Sequence, residues 1–436
     1  MQNPNYNHLN IEKQIYDYWE KNKFFKPDKS KKKYFSIVIP PPNVTGSLHM
    51  GHALNNSLQD LLVRYYRMNG YETLWQPGTD HAGIATQALV EKKLSLEKKD
   101  KNELGREKFI EKVWEWKEQY GDIIINQLKK LGCSCDWDKL SFTMDEKYSE
   151  AVLESFVRLF DKGLIYRGNR LVNWCPKSQT ALSDEEVIFK EVNGKLWYIK
   201  YAIENSDSFI EIATTRPETM LGDVAVAVNP SDKRFKDLIG SNAILPIVGR
   251  KIPIIADKMV DPEFGTGCVK ITPAHDPNDY NVGLEHSLDM VNVMNPDGSI
   301  NSNAPKEYVN LDRFEARKKI VAELIELNLL IKEEKQLMVV PYGDRSGEII
   351  EPWLTDQWFC DAKKLSIDPI KSVKNEKTKF VPKQWEKTFF NWMENIQPWC
   401  ISRQLWWGHQ IPAWYGPDEK FFVAETLEEA NKQALK

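Results

Sequence analysis

The sequence predicts an α/β protein in which a parallel-sheet domain is interrupted by an inserted β-rich domain, and three observations carry that reading. A β-branched run that ends at Pro40 to Pro42 is followed by a helical pattern and then a second strand pattern, which is a β-α-β unit. From about residue 189 the texture changes to short β-branched runs separated by turn residues. After Pro341 the Trp-rich, helix-and-loop texture of the first part returns, so the β-rich stretch reads as an insertion.

Tyr34 to Ile39 (YFSIVI) has the continuous apolar character of a buried parallel strand. After the polar turn Asn43 to Ser47, the residues Leu54, Leu58, Leu61, Leu62 and Tyr65 fall at helical spacing, and Gly70 supplies a stop. Glu72 to Gln76 resumes as a strand, and helical patterns cover Lys101 to Leu131 and Ser149 to Lys162. These belong to a first segment, 1–188. Segment 189–342 holds the runs LWYIKYAI, FIEIATT, DVAVAV, AILPIV, KIPIIA and CVKIT, with a helix over Asp312 to Leu330. In the returning segment, 343–436, Trp385, Trp392 and Trp399 start a seven-residue repeat that ends at Trp406. That repeat is either one helical stripe or partly a pocket wall, because Pro398 interrupts a continuous helix.

At 436 residues the chain is long enough for about three domains and several cores. With 42% hydrophobic and 28% charged residues it is an ordinary globular composition. No stretch approaches the ~18 apolar residues of a membrane span, and MQNPNYNHLNIEKQ lacks the regions of a signal peptide. A cytoplasmic location without a membrane partner is the expectation. The balance of 59 Lys+Arg against 63 Asp+Glu excludes a protein that coats nucleic acid by bulk charge, though not a local basic groove. Lys29 to Lys33 is expected to be a solvated face. Six scattered cysteines (Cys133, Cys135, Cys175, Cys268, Cys360, Cys400) make reduced thiols the default.

Five of the seven histidines lie in short Gly- or Asp-containing motifs: His49 and His52 in HMGH, then His81, His275 and His409. His49 and His52 are three apart at the start of the helix after the first strand, so both imidazoles occupy one face of its first turn. Ser47 is placed to cap that turn, and Gly51 lets a planar group approach the backbone. Free N–H groups and two extra donors at the edge where doubly wound sheets bind ligands make a phosphate site. Asp80 follows the second strand at the same edge, where it is a helix N-cap before His81 and Ala82, a ligand group, or both. In the insertion, alternation along GTGCVKIT puts Val269 and Ile271 on one face and Lys270 and Thr272 on the other, facing outward from the core. Asp276 before Pro277 fits a helix N-cap, with Asp279 on the same side of the turn. Thr214, Thr215 and Arg216 form a polar turn before Pro217.

PPPNVTGSLHMGHAL followed by GTDHAGIATQ resembles the first signature of the class I aminoacyl-tRNA synthetases, in detail the valyl type. The similarity continues through NWCP at Asn173, ATTRPETMLGDVAVAVNP at Ala213, GTGCVKITPAHDPND at Gly265 and WCISRQLWWGHQIPAWY at Trp399. It spans essentially the whole chain. The resemblance implies a Rossmann-like catalytic domain interrupted by a β-rich editing domain, acting on valine, ATP with Mg²⁺, and a valine-accepting tRNA, as a monomer. In that family the amino acid carboxylate attacks the α-phosphate of ATP, and the acyl group then moves to the tRNA 3′ end, so positioning and charge stabilisation dominate. By the resemblance, Thr45, His49, Gly51 and His52 would hold ATP, with Thr45, His49 and His52 as the catalytic group. Asp80 would pair with the substrate ammonium, and Pro41, Pro42, Asn43 and Trp399 would shape the side-chain pocket.

A pocket that accepts valine rejects threonine poorly, and valyl-tRNA synthetase is itself the standard illustration of this limit. The resemblance therefore implies a second, hydrolytic site. There Thr214, Thr215, Arg216, Lys270, Thr272 and Asp276 would hold the tRNA terminus and the misattached residue, Asp279 would recognise the threonyl ammonium, and Phe264 would pack nearby. Two departures stand out. Where some relatives build a zinc knuckle from two Cys-x-x-Cys pairs, this chain reads Cys175-Pro-Lys-Ser178 and, around Asp344 to Gly347, no cysteine, so no zinc is expected. Cys133 and Cys135 fit packing better than ligation. Nothing after Trp407 resembles the family's second, lysine-rich signature or its anticodon-binding domain, so the chain reads as an amino-terminal portion with its catalytic domain incomplete at the C-terminal side. The editing site then reads as complete and the adenylation site as deficient. Isoleucyl or leucyl synthetases, a stand-alone deacylase and a non-catalytic tRNA-binding paralogue are the alternative readings.

Overall fold

The computed structural model describes residues 8–27 and 30–436; Lys29, at one end of the lysine run, and the opening residues 1–7 lie outside the described residues. The chain divides into two compact units, Met1–Lys162 with Leu405–Lys436, and Gly163–Gln404.

In the first unit the strand Tyr34–Val38 pairs in parallel with Glu72–Gln76, and the helix Met50–Met68 connects them. Gly70, at φ 81°, takes the left-handed conformation that ends this helix without a Cβ clash. Parallel pairing continues through a bridge between Asn43 and Asp80 and through Gly78–Thr79 beside Ser141–Phe142. The β-α-β reading therefore holds. The helical stretch read as Lys101 to Leu131 is two helices, Lys101–Leu104 and Arg106–Lys130, parted at Gly105. The core gathers Ile39, Val63, Trp75, Phe109 and Leu128, and takes Trp407 from the returning segment.

The first strand is not buried on both faces: Val38 is 72% exposed, as is Leu54 at 65% on the following helix, with Leu58, Leu61, Leu62 and Tyr65 exposed beside it. Apolar spacing marks which face of an element seeks cover, but burial needs a covering layer. Among the described residues the sheet here has two strands, so Tyr34–Val38 keeps an uncovered edge.

The second unit is built on a seven-stranded sheet. Its order runs from Cys268–Ile271 through Ala225–Val228, Lys251–Ala256, Asn242–Ile244 and Val187–Ile203 to Leu330–Gly343, with Phe209–Thr214 pairing onto Val187–Ile203. Only Lys251–Ala256 beside Ala225–Val228 is parallel. The runs singled out in the sequence become these strands because each carries alternate apolar residues into one core, including Ile199, Tyr201, Ile212, Val226 and Ile254, closed by Ile320 and Leu324 of the helix Arg313–Glu326. A second, antiparallel sheet of four strands comprises Trp399–Cys400, Glu351–Cys360, Ile165–Cys175 and Thr180–Leu182. The tryptophan repeat is not a single stripe. The helix Trp385–Glu394 carries Trp385 and Trp392, whereas Trp399 lies in a short strand and Trp406 packs in the first unit. Among the described residues no helix is long and apolar enough to cross a membrane.

Candidate functional sites

The first candidate site lies at the start of the helix Met50–Met68. The cap is His49 rather than the expected Ser47. His49 Nδ1 accepts from the Gly51 N–H at 3.1 Å, and the His49 N–H donates to His52 Nδ1 at 3.2 Å. The imidazoles thus close a reciprocal capping box, with ring centroids 3.9 Å apart. Because each Nδ1 accepts, each neutral ring carries its proton on Nε2. Two Nε2–H donors therefore stand at the positive end of a 19-residue helix, which suits an anion. Desolvation, and then the neighbouring His49, lowers the pKa of His52 and keeps it in that neutral form. A Cβ on Gly51 would come within 2.9 Å of His49 Cε1, so the glycine makes room for the ring. Thr45 is half-buried in the preceding turn.

Asp80 is brought beside the end of the first strand by the backbone. The Asp80 N–H donates to Pro42 O at 2.9 Å and the Val44 N–H to Asp80 O at 3.0 Å, which seats Pro42 and Asn43 against it. Pro42 is buried, whereas Pro41 and Asn43 are exposed. Asp80 is not the N-cap of the next helix, Gly83–Leu96, whose cap position is Ala82; its Oδ1 accepts from the Ala82 N–H at 3.0 Å and from Thr143 Oγ1 at 3.2 Å. The same Thr143 hydroxyl accepts the His81 N–H at 2.9 Å and lies 2.6 Å from His81 Nδ1. Burial lowers the pKa of His81, Asp80 opposes that shift, and His409, its ring centroid 5.3 Å away, adds to it. One oxygen of Asp80 is thus committed internally while the side chain remains partly open. Trp399 is exposed on its short strand in the second unit.

The second candidate site lies in the seven-stranded sheet. Lys270 and Thr272 do not face outward as alternation suggested; both are buried. Lys270 Nζ donates to Thr219 Oγ1 and to Asp223 Oδ1, each at 3.1 Å, and also to Thr272 Oγ1. Thr272 Oγ1 donates to Asp223 Oδ1 at 2.6 Å and Tyr201 OH to Asp223 Oδ2 at 2.7 Å. Period two assigns the two faces of a strand, but both can be covered, and here an inserted carboxylate makes the polar face burial-compatible.

Asp276 caps the helix Pro277–Glu285 as read, accepting from the N–H groups of Asn278 and Asp279. Asp279 Oδ2 accepts the Thr272 N–H at 2.8 Å, and burial pushes the Asp279 carboxyl up to about 7, against the pull of Lys270. Thr214 Oγ1 accepts the Arg216 N–H at 3.0 Å, while Arg216 Nη1 donates to His275 O at 3.0 Å. Thr215 is half-buried next to them. Burial, reinforced by Arg216 and Lys270, holds His275 well below the ordinary imidazole range and therefore neutral. Phe264 is exposed on its loop. The structure thus joins Thr214, Arg216, Lys270, Thr272, Asp276 and Asp279 through shared hydrogen bonds and leaves Phe264 outside that network. Asp223, Thr219 and Tyr201 are members that sequence reasoning missed. The one available signal was an acidic residue at the mouth of the apolar run DVAVAV.

The family described as "tRNA synthetases class I (I, L, M and V)" matches residues 14–436. The chain belongs to the class I tRNA synthetases. Within that family it is 66% identical over 436 residues to a valine–tRNA ligase of Pelagibacter ubique, with all of this chain and 50% of that protein covered. Valine–tRNA ligases of Rhodopseudomonas palustris (56% over 456 residues, 99% and 48% covered) and Fusobacterium nucleatum (56% over 433 residues, 99% and 49% covered) are similar too. A solved ternary complex of Agrobacterium radiobacter K84 agnB2 LeuRS with tRNA and LeuAMS matches with a TM-score of 0.45 at 20% identity, covering 97% of this chain and 52% of that one. This class I synthetase chain spans about half the length of the curated relatives it matches.

Proposed function

We propose that a protein of the relatives' length carrying this chain is a cytoplasmic valine–tRNA ligase that also hydrolyses mischarged threonyl-tRNA. The observation that carries the reading is the seating of Pro42 and Asn43 against Asp80 at the end of the parallel strands, in the same unit as the paired imidazoles. The free oxygen of Asp80 receives the amino acid's ammonium, a charge-assisted bond that favours an amino acid over its deaminated analogue. The Nε2–H groups of His49 and His52 donate to the ATP phosphates as the amino acid carboxylate attacks the α-phosphorus and pyrophosphate leaves. Thr45 and Gly51 border that site, and Pro41 joins Pro42 and Asn43 in the side-chain pocket. The imidazole pair brings no carboxylate with it, so Mg²⁺ enters on the ATP phosphates as part of the substrate.

In the second site, Asp279 receives the ammonium of the misattached threonine. Thr214, Thr215, Arg216, Lys270, Thr272 and Asp276 hold the ester end, with Phe264 at the rim. Water attacks the ester carbonyl, and the tRNA hydroxyl departs with a proton. We assign 1–188 and 343–436 to the catalytic domain and 189–342 to the editing domain. We take the working unit to be a monomer, as the family resemblance implies. Zinc has no place in this reading: Cys175 Sγ donates to Ser346 Oγ at 3.3 Å, and one thiolate is too few for a structural site.

Charging of valine, isoleucine and leucine by the full-length protein tests the ligase reading; a preference for isoleucine or leucine overturns it. Deacylation of threonyl-tRNA by this 436-residue chain tests the editing reading, and its absence overturns that one.

A further inference from the structure

Arg216, counted above among the groups that hold the tRNA terminus, is engaged on three sides. Its Nε donates to Glu218 Oε1 at 3.2 Å, its Nη1 to His275 O at 3.0 Å, and its Nη2 to Glu351 Oε2. The first two partners belong to the candidate editing region. Glu351 does not: it opens the strand Glu351–Cys360 of the four-stranded sheet. It is buried, and its other oxygen lies 3.0 Å from Arg313 Nε. Arg313 in turn reaches Glu348, and Arg317 grips Glu218 with two nitrogens at 2.7 and 2.8 Å. Glu218, Glu348 and Glu351 thus balance Arg216, Arg313 and Arg317. Removing one partner of a buried pair leaves the other charge without compensation, so such a cluster tolerates little rearrangement.

The His275 carbonyl immediately precedes Asp276 and lies four residues before Asp279. The guanidinium therefore ties the turn at Thr214–Arg216 to the loop that presents both acids, and its third tether comes from the neighbouring sheet. We propose that Glu351 is a positioning residue of the editing site: by holding Arg216, it sets the turn and the acidic loop in register. This rests on the editing reading and adds a residue that touches no substrate.

The test is threonyl-tRNA deacylation by the 436-residue chain carrying Glu351→Gln, Glu351→Asp or Glu348→Gln, together with amide hydrogen exchange over residues 214–219 and 275–279. Glu351→Gln is expected to lower kcat by about 10- to 100-fold, the scale of a small misplacement, with KM moved less than about threefold. Exchange in both segments accelerates. Glu351→Asp, which keeps the charge and also serves if the Gln variant fails to fold, recovers part of the rate. Glu348→Gln, whose carboxylate is partly exposed and does not touch Arg216, lowers kcat less than Glu351→Gln does. A Glu351→Gln chain with wild-type kcat and unchanged exchange overturns the proposal. A wild-type chain that hydrolyses no threonyl-tRNA overturns the editing reading instead, while the exchange data still decide whether Glu351 holds the turn.

Discussion

Asp279→Asn separates the energetic position of this acid from its chemical role. The carboxyl sits at about 7 against an ordinary value of 3.8, because burial disfavours its anion more than Lys270 favours it. At about 1.4 kcal/mol for each pH unit, holding that charge in the folded protein costs up to about 4 kcal/mol. The sign follows from proton binding: between about pH 4 and 7 the native state holds a proton that the unfolded chain has lost. Stability is therefore fullest below pH 4 as far as this group is concerned, falls as pH rises through that window, and levels off above 7. Asparagine keeps the shape and the oxygen that accepts from the Thr272 N–H but carries no charge. Urea denaturation at pH 5 and pH 8 should show the variant more stable than wild type at pH 8, by at most that amount, with much of the difference gone at pH 5. Deacylation of threonyl-tRNA should rise with pH through about 7 in the wild type and be abolished in the variant. Equal or lower stability of Asp279→Asn at pH 8, with an unaltered pH slope, would refute the claim that burial governs this carboxyl.

Gly51→Ala drives a Cβ to 2.9 Å from the His49 ring; losing the capping box should cost about 1 kcal/mol in thermal denaturation and weaken ATP–pyrophosphate exchange by the full-length enzyme. Thr143→Val removes the hydroxyl that ties His81 to Asp80; the full-length KM for valine should rise about tenfold, the worth of one lost charge-assisted hydrogen bond, with the exchange kcat less affected. The exposed apolar row of the helix Met50–Met68 should make the 436-residue chain self-associate as its concentration is raised. Leu54→Glu with Leu61→Glu should leave sedimentation velocity independent of concentration while editing persists.

Local chemistry was readable from the sequence. The strand Glu72–Gln76 has the limits read for it, and Asp276 before Pro277 announced a capped helix, because both depend on neighbours within a few residues. What covers a face was not readable. Alternation separated Lys270 from Ile271, yet Lys270 is enclosed, and a continuous apolar run suggested a buried first strand whose Val38 is largely exposed. Ser47 looked the better cap by residue type, but the two imidazoles cap each other. Thr143 and Glu351 left no trace, since they reach Asp80 and Arg216 across 63 and 135 positions of chain, and a single sequence carries no record of such pairs.

Trp407 fixes an order of events during synthesis. Its indole N–H reaches His81 O at 2.8 Å, its backbone N–H reaches Gln87 Oε1 at 3.1 Å, and its ring fills the first unit's core. Residues 163–404 form a unit of their own and leave the ribosome before it does. The segment begun first must therefore wait for the one begun second: the inner unit can settle while the outer one still lacks its keystone. A nascent chain stalled before residue 405 should protect the inner sheet from protease and leave the helix Gly83–Leu96 open to it.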